Sequence, residues 1–267
     1  MSIAIPAPPS RVPGGEPVDW MAFRVSMHAA LLATLIVTAI GIPVGYALAK
    51  TRFRGAPVIE GVLTLPMALP PTVMGYYLLT QMGGDTVFRD LSMTWFGHPL
   101  TFTFAGIVIA QAVEAFPFCV RATRAAVAGV DAKMESAARS IGIPEWRVAL
   151  QVTLPLARRG ILVGVALGFG RALGDYAATD MVSGHVPGAT TMSMTLFGVV
   201  VEHKQGDANA LALTQLAIAV AIMVGASLLG NGQMPSRARW ARRPQPGSEA
   251  GRRQPRQAAT SNTDVTR

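Results

Sequence analysis

Four ionisable side chains, Glu114, Arg171, Asp175 and Asp180, fall inside stretches that are otherwise apolar. Charges at membrane depth are costly and tend to face one another or a wet cavity. Arg171 and Asp175 are four residues apart, the spacing that places a cation and an anion on one helix face. Glu114 has no partner nearby in sequence, and Arg171 is the candidate. The chemistry open to this set is charge pairing, a gate, or a proton relay through Glu114, Asp175 and Asp180. Other chemistry is closed. Cys119 is the single cysteine, which excludes an intramolecular disulfide and a cysteine-based metal site. His28, His98, His185 and His203 are scattered, with no pair at helical spacing, so no metal set is expected. Only Lys50, Lys133 and Lys204 are lysines, and none follows a glycine. A phosphate-cradling Gly-Lys loop is therefore absent, and the chain is not expected to be an ATPase or any other enzyme.

The elements that carry these charges are long apolar runs. The composition is 51% hydrophobic and 14% charged, against about 25% charged in soluble domains. Residues 25–49 are long enough to cross about 30 Å of hydrocarbon, with a kink expected from Gly41, Pro43 and Gly45. A second span, 58–80, contains Pro66, Pro70 and Pro71, which predict a break near its middle. A polar segment, 81–99, then leaves the membrane. A third span, 101–126, holds Glu114 and Pro117; a fourth, 156–179, holds Arg171 and Asp175; the last is 208–230. Residues 190–201 are expected to dip in without crossing, giving five spans, or six if they cross. The expected organisation is an irregular lead over 1–23, a membrane domain over 24–230 and a disordered basic tail over 231–267.

Twenty of the 23 basic residues are arginines, clustered beside apolar spans or in the tail. The net charge of +8 is thus read as membrane topology, with no nucleic-acid partner implied. Five spans put Lys50, Arg52, Arg54, the cluster from Arg121 to Arg159 and the tail on one side. The positive-inside rule makes that side cytoplasmic and leaves the N-terminus outside.

Between the third and fourth spans lies SAARSIGIPEWRVALQVTLP, Ser136 to Pro155. Asp131 is placed to cap a short helix over 132–141. Glu135 and Arg139 sit at the ends the helix dipole prefers. Gly142 supplies the positive φ that ends the helix, and Pro144 is expected to prevent its resumption. Ala137 and Ala138, three residues, Gly142, nine residues, Val152, one residue, then Leu154 and Pro155 resembles the cytoplasmic loop of ABC-importer permeases. That family's pattern has Glu where this chain has Ser136, and Glu135 stands one residue early. LPMALPPTVMGYYLL, Leu65 to Leu79, and GRALGDYAATDMVSGHVPGATTMSMTLF, Gly170 to Phe197, are similar to strings of the molybdate branch. Asp175 and Tyr176 replace that branch's usual Glu and Phe, and Asp180 and Glu114 are unusual for it.

The resemblance covers about residues 24–230 and implies an all-α membrane protein, the transmembrane bundle of a type-I ABC importer. Asp131, Glu135, Ser136, Ala137, Ala138, Arg139, Gly142, Leu154 and Pro155 would then form the coupling loop that docks on the ATPase. It implies a homodimer in the bacterial inner membrane with two ATPase subunits, which bind ATP and magnesium, and an extracytoplasmic molybdate-binding protein. No cofactor is implied in this chain. Molybdate is a tetrahedral dianion, so Pro70, Pro71, Thr72 and Tyr76 at the broken span, with Arg171 and Asp175, are candidates for its path or gate. Sulfate, thiosulfate and tungstate are alternative cargoes of the same shape. A proton-coupled secondary transporter is the alternative of another class.

Overall fold

The computed structural model describes residues 20–51, 55–184, 189–203 and 205–230. The N-terminal lead up to residue 19, Arg52, Arg54, His185, Lys204 and the tail from 231 lie outside them. The apolar runs form helices without a strand among the described residues. Helix α1 (Trp20–Lys50) has 31 residues, about 46 Å at 1.5 Å per residue. It continues through Pro43 without a break. One face is a stripe of small residues, including Ala29, Ala33, Gly41 and Gly45, and is buried; Leu31, Leu35 and Ile40 on the other face are exposed. Small residues allow close approach of helix backbones, the usual solution where lipid offers no hydrophobic gain for burial. At Gly45 a Cβ would sit 2.8 Å from both Thr123 Cβ and the Val120 carbonyl of α5 (Phe104–Ala128). Helix α5 is the hub, with α1 on one side and α8 (Leu154–Leu173) on another. Ala33, Val37, Ile107, Ala115, Cys119, Phe169 and Ala172 form the shared core.

The second apolar run is two helices, α2 (Ala56–Ala68) and α3 (Pro71–Gly83), bent by 106°. Pro70 and Pro71 cause the break. Each removes a backbone donor, and Leu69, ahead of Pro70, is forced out of the helical region to φ −80°, ψ 143°. Gly75 lets α3 lie against α9 (Ala177–Ser183), where a Cβ would come within 2.9 Å of Ala178 Cα. By length and composition α1, α5, the segment Glu145–Leu173 and Gly206–Gly225 within α11 (Gln205–Gly230) can each cross a membrane; the number is five when the bent pair is counted as one span. Helix α10 (Met192–Val201) has ten residues, about 15 Å, half a bilayer core.

Two expectations change, and the polar segment 81–99 gains an element: an amphipathic helix, α4 (Val87–Phe96), capped by Thr86 and closed by Gly97 at φ +73°. The fourth span does not run on to Thr179. Helix α8 stops at Leu173, and Asp175 Oδ2 instead accepts the amide of Thr179 at 2.9 Å and its hydroxyl, capping the start of α9. The Arg171–Asp175 pair therefore straddles a helix end instead of lying along one face. Pro144 ends nothing further: helix resumes at once in α7 (Glu145–Val148), because a proline with ψ 150° serves as an N-cap at no cost in hydrogen bonds.

Candidate functional site

Helix α6 (Ala132–Ser140) is built as its sequence indicates. Asp131 Oδ1 accepts the Lys133 amide at 2.9 Å, and Gly142 has φ +82°. Its two faces differ sharply. Glu135 and Ala138 are buried, whereas Asp131, Ser136, Ala137 and Arg139 are exposed. Glu135 is the point at which the loop is tied to the bundle. Its Oε1 lies 2.5 Å from Lys50 Nζ at the end of α1 and accepts the Thr153 hydroxyl at 2.7 Å. Its Oε2 lies 3.5 Å from Arg139 Nη2. Arg139 also donates to both carboxylate oxygens of Glu145, at 2.6 and 3.3 Å, clasping α6 to α7. Burial pushes the Glu135 carboxyl up, but the hydrogen bonds from Lys50 and Thr153 and the charges of Lys50 and Arg139 outweigh it. The net result holds the carboxyl below its ordinary value.

Thr153 closes a π-helical turn, Ala149–Thr153, ahead of Leu154 and Pro155. The wider turn carries the chain into α8 past Pro155, which has no N–H to donate, and such turns concentrate at functional sites. Outward the loop shows apolar side chains, Met134, Ile141 and Trp146, of which Ile141 is 77% exposed. Arg147 stacks 4.9 Å over the Trp146 ring. Neither this apolar patch nor the tie of Glu135 to Lys50 and Thr153 is evident in the sequence. The one signal for the tie is Lys50 as the last basic residue of a span. Met134, Ile141 and Trp146 are recognisable there only as apolar residues in a polar loop.

The second cluster lies inside the bundle. Arg171 forms ion pairs with Glu114 and, at 3.7 Å, with Asp175 Oδ1. Both acids are almost wholly buried, and Arg171 is partly exposed. Arg171 is the cation that the two acids share. Glu114 thus meets the partner expected for it.

Pro70, Pro71, Thr72 and Tyr76 are exposed at the start of α3, and Tyr77 packs edge-on to Tyr76 at 5.8 Å. Among the described residues no hydrogen bond or ion pair joins Thr72 or Tyr76 to Arg171 or Asp175. The structure relates the two groups through the packing of α3 on α9 and on α5.

The family model for "binding-protein-dependent transport system inner membrane component" matches residues 41–241. The molybdenum transport system permease protein ModB of Escherichia coli (strain K12) is 38% identical over 205 residues, 77% of this chain and 90% of that protein. A probable molybdenum ABC transporter permease of Haloferax volcanii is 43% identical, over 59% of this chain and 57% of its own. A probable sulfate transport system permease of Chlorokybus atmophyticus is 34% identical, over 64% and 60%. Among solved structures, the inward-facing MetNI methionine ABC transporter aligns with TM-score 0.63 and 16% identity, over 81% of this chain and 98% of that one. A bacterial alginate ABC importer aligns with TM-score 0.63 and 15% identity, over 79% and 78%. This all-helical, multi-pass chain belongs to the family of binding-protein-dependent transport system inner membrane components.

Proposed function

We propose that this chain is the membrane-spanning subunit of an importer that moves molybdate across the bacterial inner membrane, driven by a separate ATPase. The observation that carries the reading is the loop of residues 131–155. It is tied to α1 and α8 through Glu135, and it presents Met134, Ser136, Ala137, Ile141 and Trp146 to a partner. An exposed apolar patch with a polar rim suits a protein interface, and a buried ion pair beneath it suits transmission of force to the spans. The molybdenum permeases that match over most of their own length supply the cargo.

In this reading two copies pair, two ATPase subunits dock on the loops, and a molybdate-binding protein delivers the anion from the opposite face. The N-terminus is outside and the C-terminus is cytoplasmic. ATP binding draws the docked loops together and biases a two-state bundle between inward- and outward-facing forms. Glu135 acts as a positioning residue; Gly142, Leu154 and Pro155 shape the loop, and Asp131 starts it. The exposed hydroxyls of Thr72 and Tyr76 at the break made by Pro70 and Pro71 line the anion path. Arg171, held by Glu114 and Asp175, is a gate. ATP and magnesium are bound by the partner only.

A sulfate-type cargo is the second reading, favoured by the sulfate permease relatives. Vesicles holding this chain, its ATPase and its binding protein separate the two. ATP-dependent uptake of labelled molybdate that survives a large sulfate excess supports molybdate. Uptake abolished by sulfate moves the cargo to sulfate, and uptake without ATP overturns the importer reading in favour of a secondary transporter.

A further inference from the structure

Helix α4 carries an apolar face that nothing in the proposed import cycle uses. Val87, Phe88, Leu91, Trp95 and Phe96 fall on one half of its circumference, while Arg89, Asp90 and Thr94 fall on the other. The apolar half is uncovered: Val87 is 85% exposed, Trp95 76% and Phe96 62%. Beneath it runs a groove of about 270 Å³ lined by Phe88, Leu91, Trp95, Leu100 and Ile109, with Ser92 as the sole polar lining residue. A groove so lined offers a peptide backbone or a sugar almost nothing to hydrogen-bond. An aliphatic chain needs nothing of the kind.

The position of α4 decides which apolar occupant it meets. Helix α5 ends at the coupling loop, so its first residue, Phe104, lies about 37 Å away at the opposite end of the bundle. Helix α4 enters from α3 through the three residues 84–86, a reach of at most about 11 Å. On its other side the connection 97–103 is held down: Leu100 and Thr101 are buried, and the Phe102 amide donates to the Val182 carbonyl at 2.8 Å. Short, anchored connections at both ends keep α4 at the height where the spans leave the hydrocarbon. Trp is enriched at that depth, and an amphipathic helix with Trp, Phe and Leu on its apolar face lies in the interface plane. Arg89, paired with Asp85 at 3.0 Å, borders the apolar half, where a long cationic side chain can reach lipid phosphates.

We propose that α4 is a lipid-contact helix whose apolar face lies in the bilayer interface opposite the coupling loop and whose groove holds a phospholipid acyl chain. Its occupant is membrane lipid.

Trp95 reports on this directly. Replacing Trp20, Trp146 and Trp240 by Phe leaves Trp95 as the one indole of the full chain, reconstituted in phospholipid vesicles. Lipids brominated on their acyl chains should quench Trp95 emission several-fold more effectively than aqueous iodide. Iodide quenching the more effective of the two overturns the proposal, because the face is then in water. Quenching by neither also overturns it, because a second copy or another protein then covers the face. If the triple substitution fails to assemble, Trp95→Cys in a Cys119→Ala background carries a nitroxide instead. Relaxation by oxygen, which concentrates in lipid, should then exceed relaxation by a water-soluble nickel complex, and the reverse order overturns the proposal.

Discussion

Lys50 and Glu135, 85 positions apart in sequence, meet at 2.5 Å where the end of α1 touches α6. The glutamate is buried, and its second partner, Thr153, opens the way into α8. A single carboxylate therefore joins α6 to the end of α1 and to the turn that leads into α8. In the family's loop pattern the acidic position corresponds to Ser136, which is exposed here. A shift of one residue turns a helical side chain by about 100°, so the acid at 135 faces inward and Ser136 faces outward.

Removing either side of this tie loosens the loop. Lys50→Met leaves a buried carboxylate with Arg139 at 3.5 Å as its remaining cation and Thr153 as its hydroxyl donor, and Glu135→Gln removes the charge itself. Hydrogen bonds to charged groups are worth about 1.5–3 kcal/mol, so each change should speed hydrogen exchange at the α6 amides by at least ~10-fold. The double variant should be no worse than Lys50→Met alone. Additive effects would mean that the two residues do not act through each other.

The same tie predicts a pH dependence. Because the folded Glu135 carboxyl titrates below its ordinary value, folding of the loop favours the ionised form. The stabilisation is complete above about pH 4.3, the ordinary glutamate value, and fades as pH falls through the lower folded value. Proteolytic clipping within 131–155 should rise only on that acid side. Glu135→Gln should abolish the dependence.

Gly142 adopts φ +82°, and a Cβ there would meet no atom within 4 Å. Strain is then purely conformational, about 1–2 kcal/mol for an ordinary L residue. Gly142→Val should lower ATP-dependent molybdate uptake at unchanged membrane insertion. Gly142→Asn, which tolerates the left-handed region, should lower it less. Equal loss from both would point to a contact made by the glycine and away from its backbone.

Arg171 compensates two buried acids, Glu114 and Asp175. Breaking such a pair from the cationic side costs on the order of 3 kcal/mol, because it strands a buried charge. Arg171→Met should lower the thermal unfolding midpoint in detergent, and adding Glu114→Gln should recover part of the loss. Failure of that recovery would separate Glu114 from Arg171.

At Gly164 a Cβ would stand 2.3 Å from the Cβ of Ala122, so Gly164→Ala must push α8 away from α5. Overpacking of this kind costs about 1–3 kcal/mol. A lowered unfolding midpoint is expected, with partial rescue by Ala122→Gly.

Apolar runs, their prolines and the helix caps are local properties, and sequence alone determined the elements that depend on them. The spans, the break at Pro70, the helix begun by Asp131 and the turn at Gly142 each rest on backbone dihedrals or donors within a few residues. Membership of the membrane class is legible for the same reason, since hydropathy is summed over one continuous stretch. The amphipathic α4 is equally local in its pattern, yet its polar half makes the segment's average look like loop. Tertiary structure decided whatever depends on which helices meet. Lys50, Glu135 and Thr153 converge only because α1, α6 and α8 pack at one end of the bundle. Arg171 finds Glu114 only because α5 and α8 lie against each other through Gly164 and Ala122.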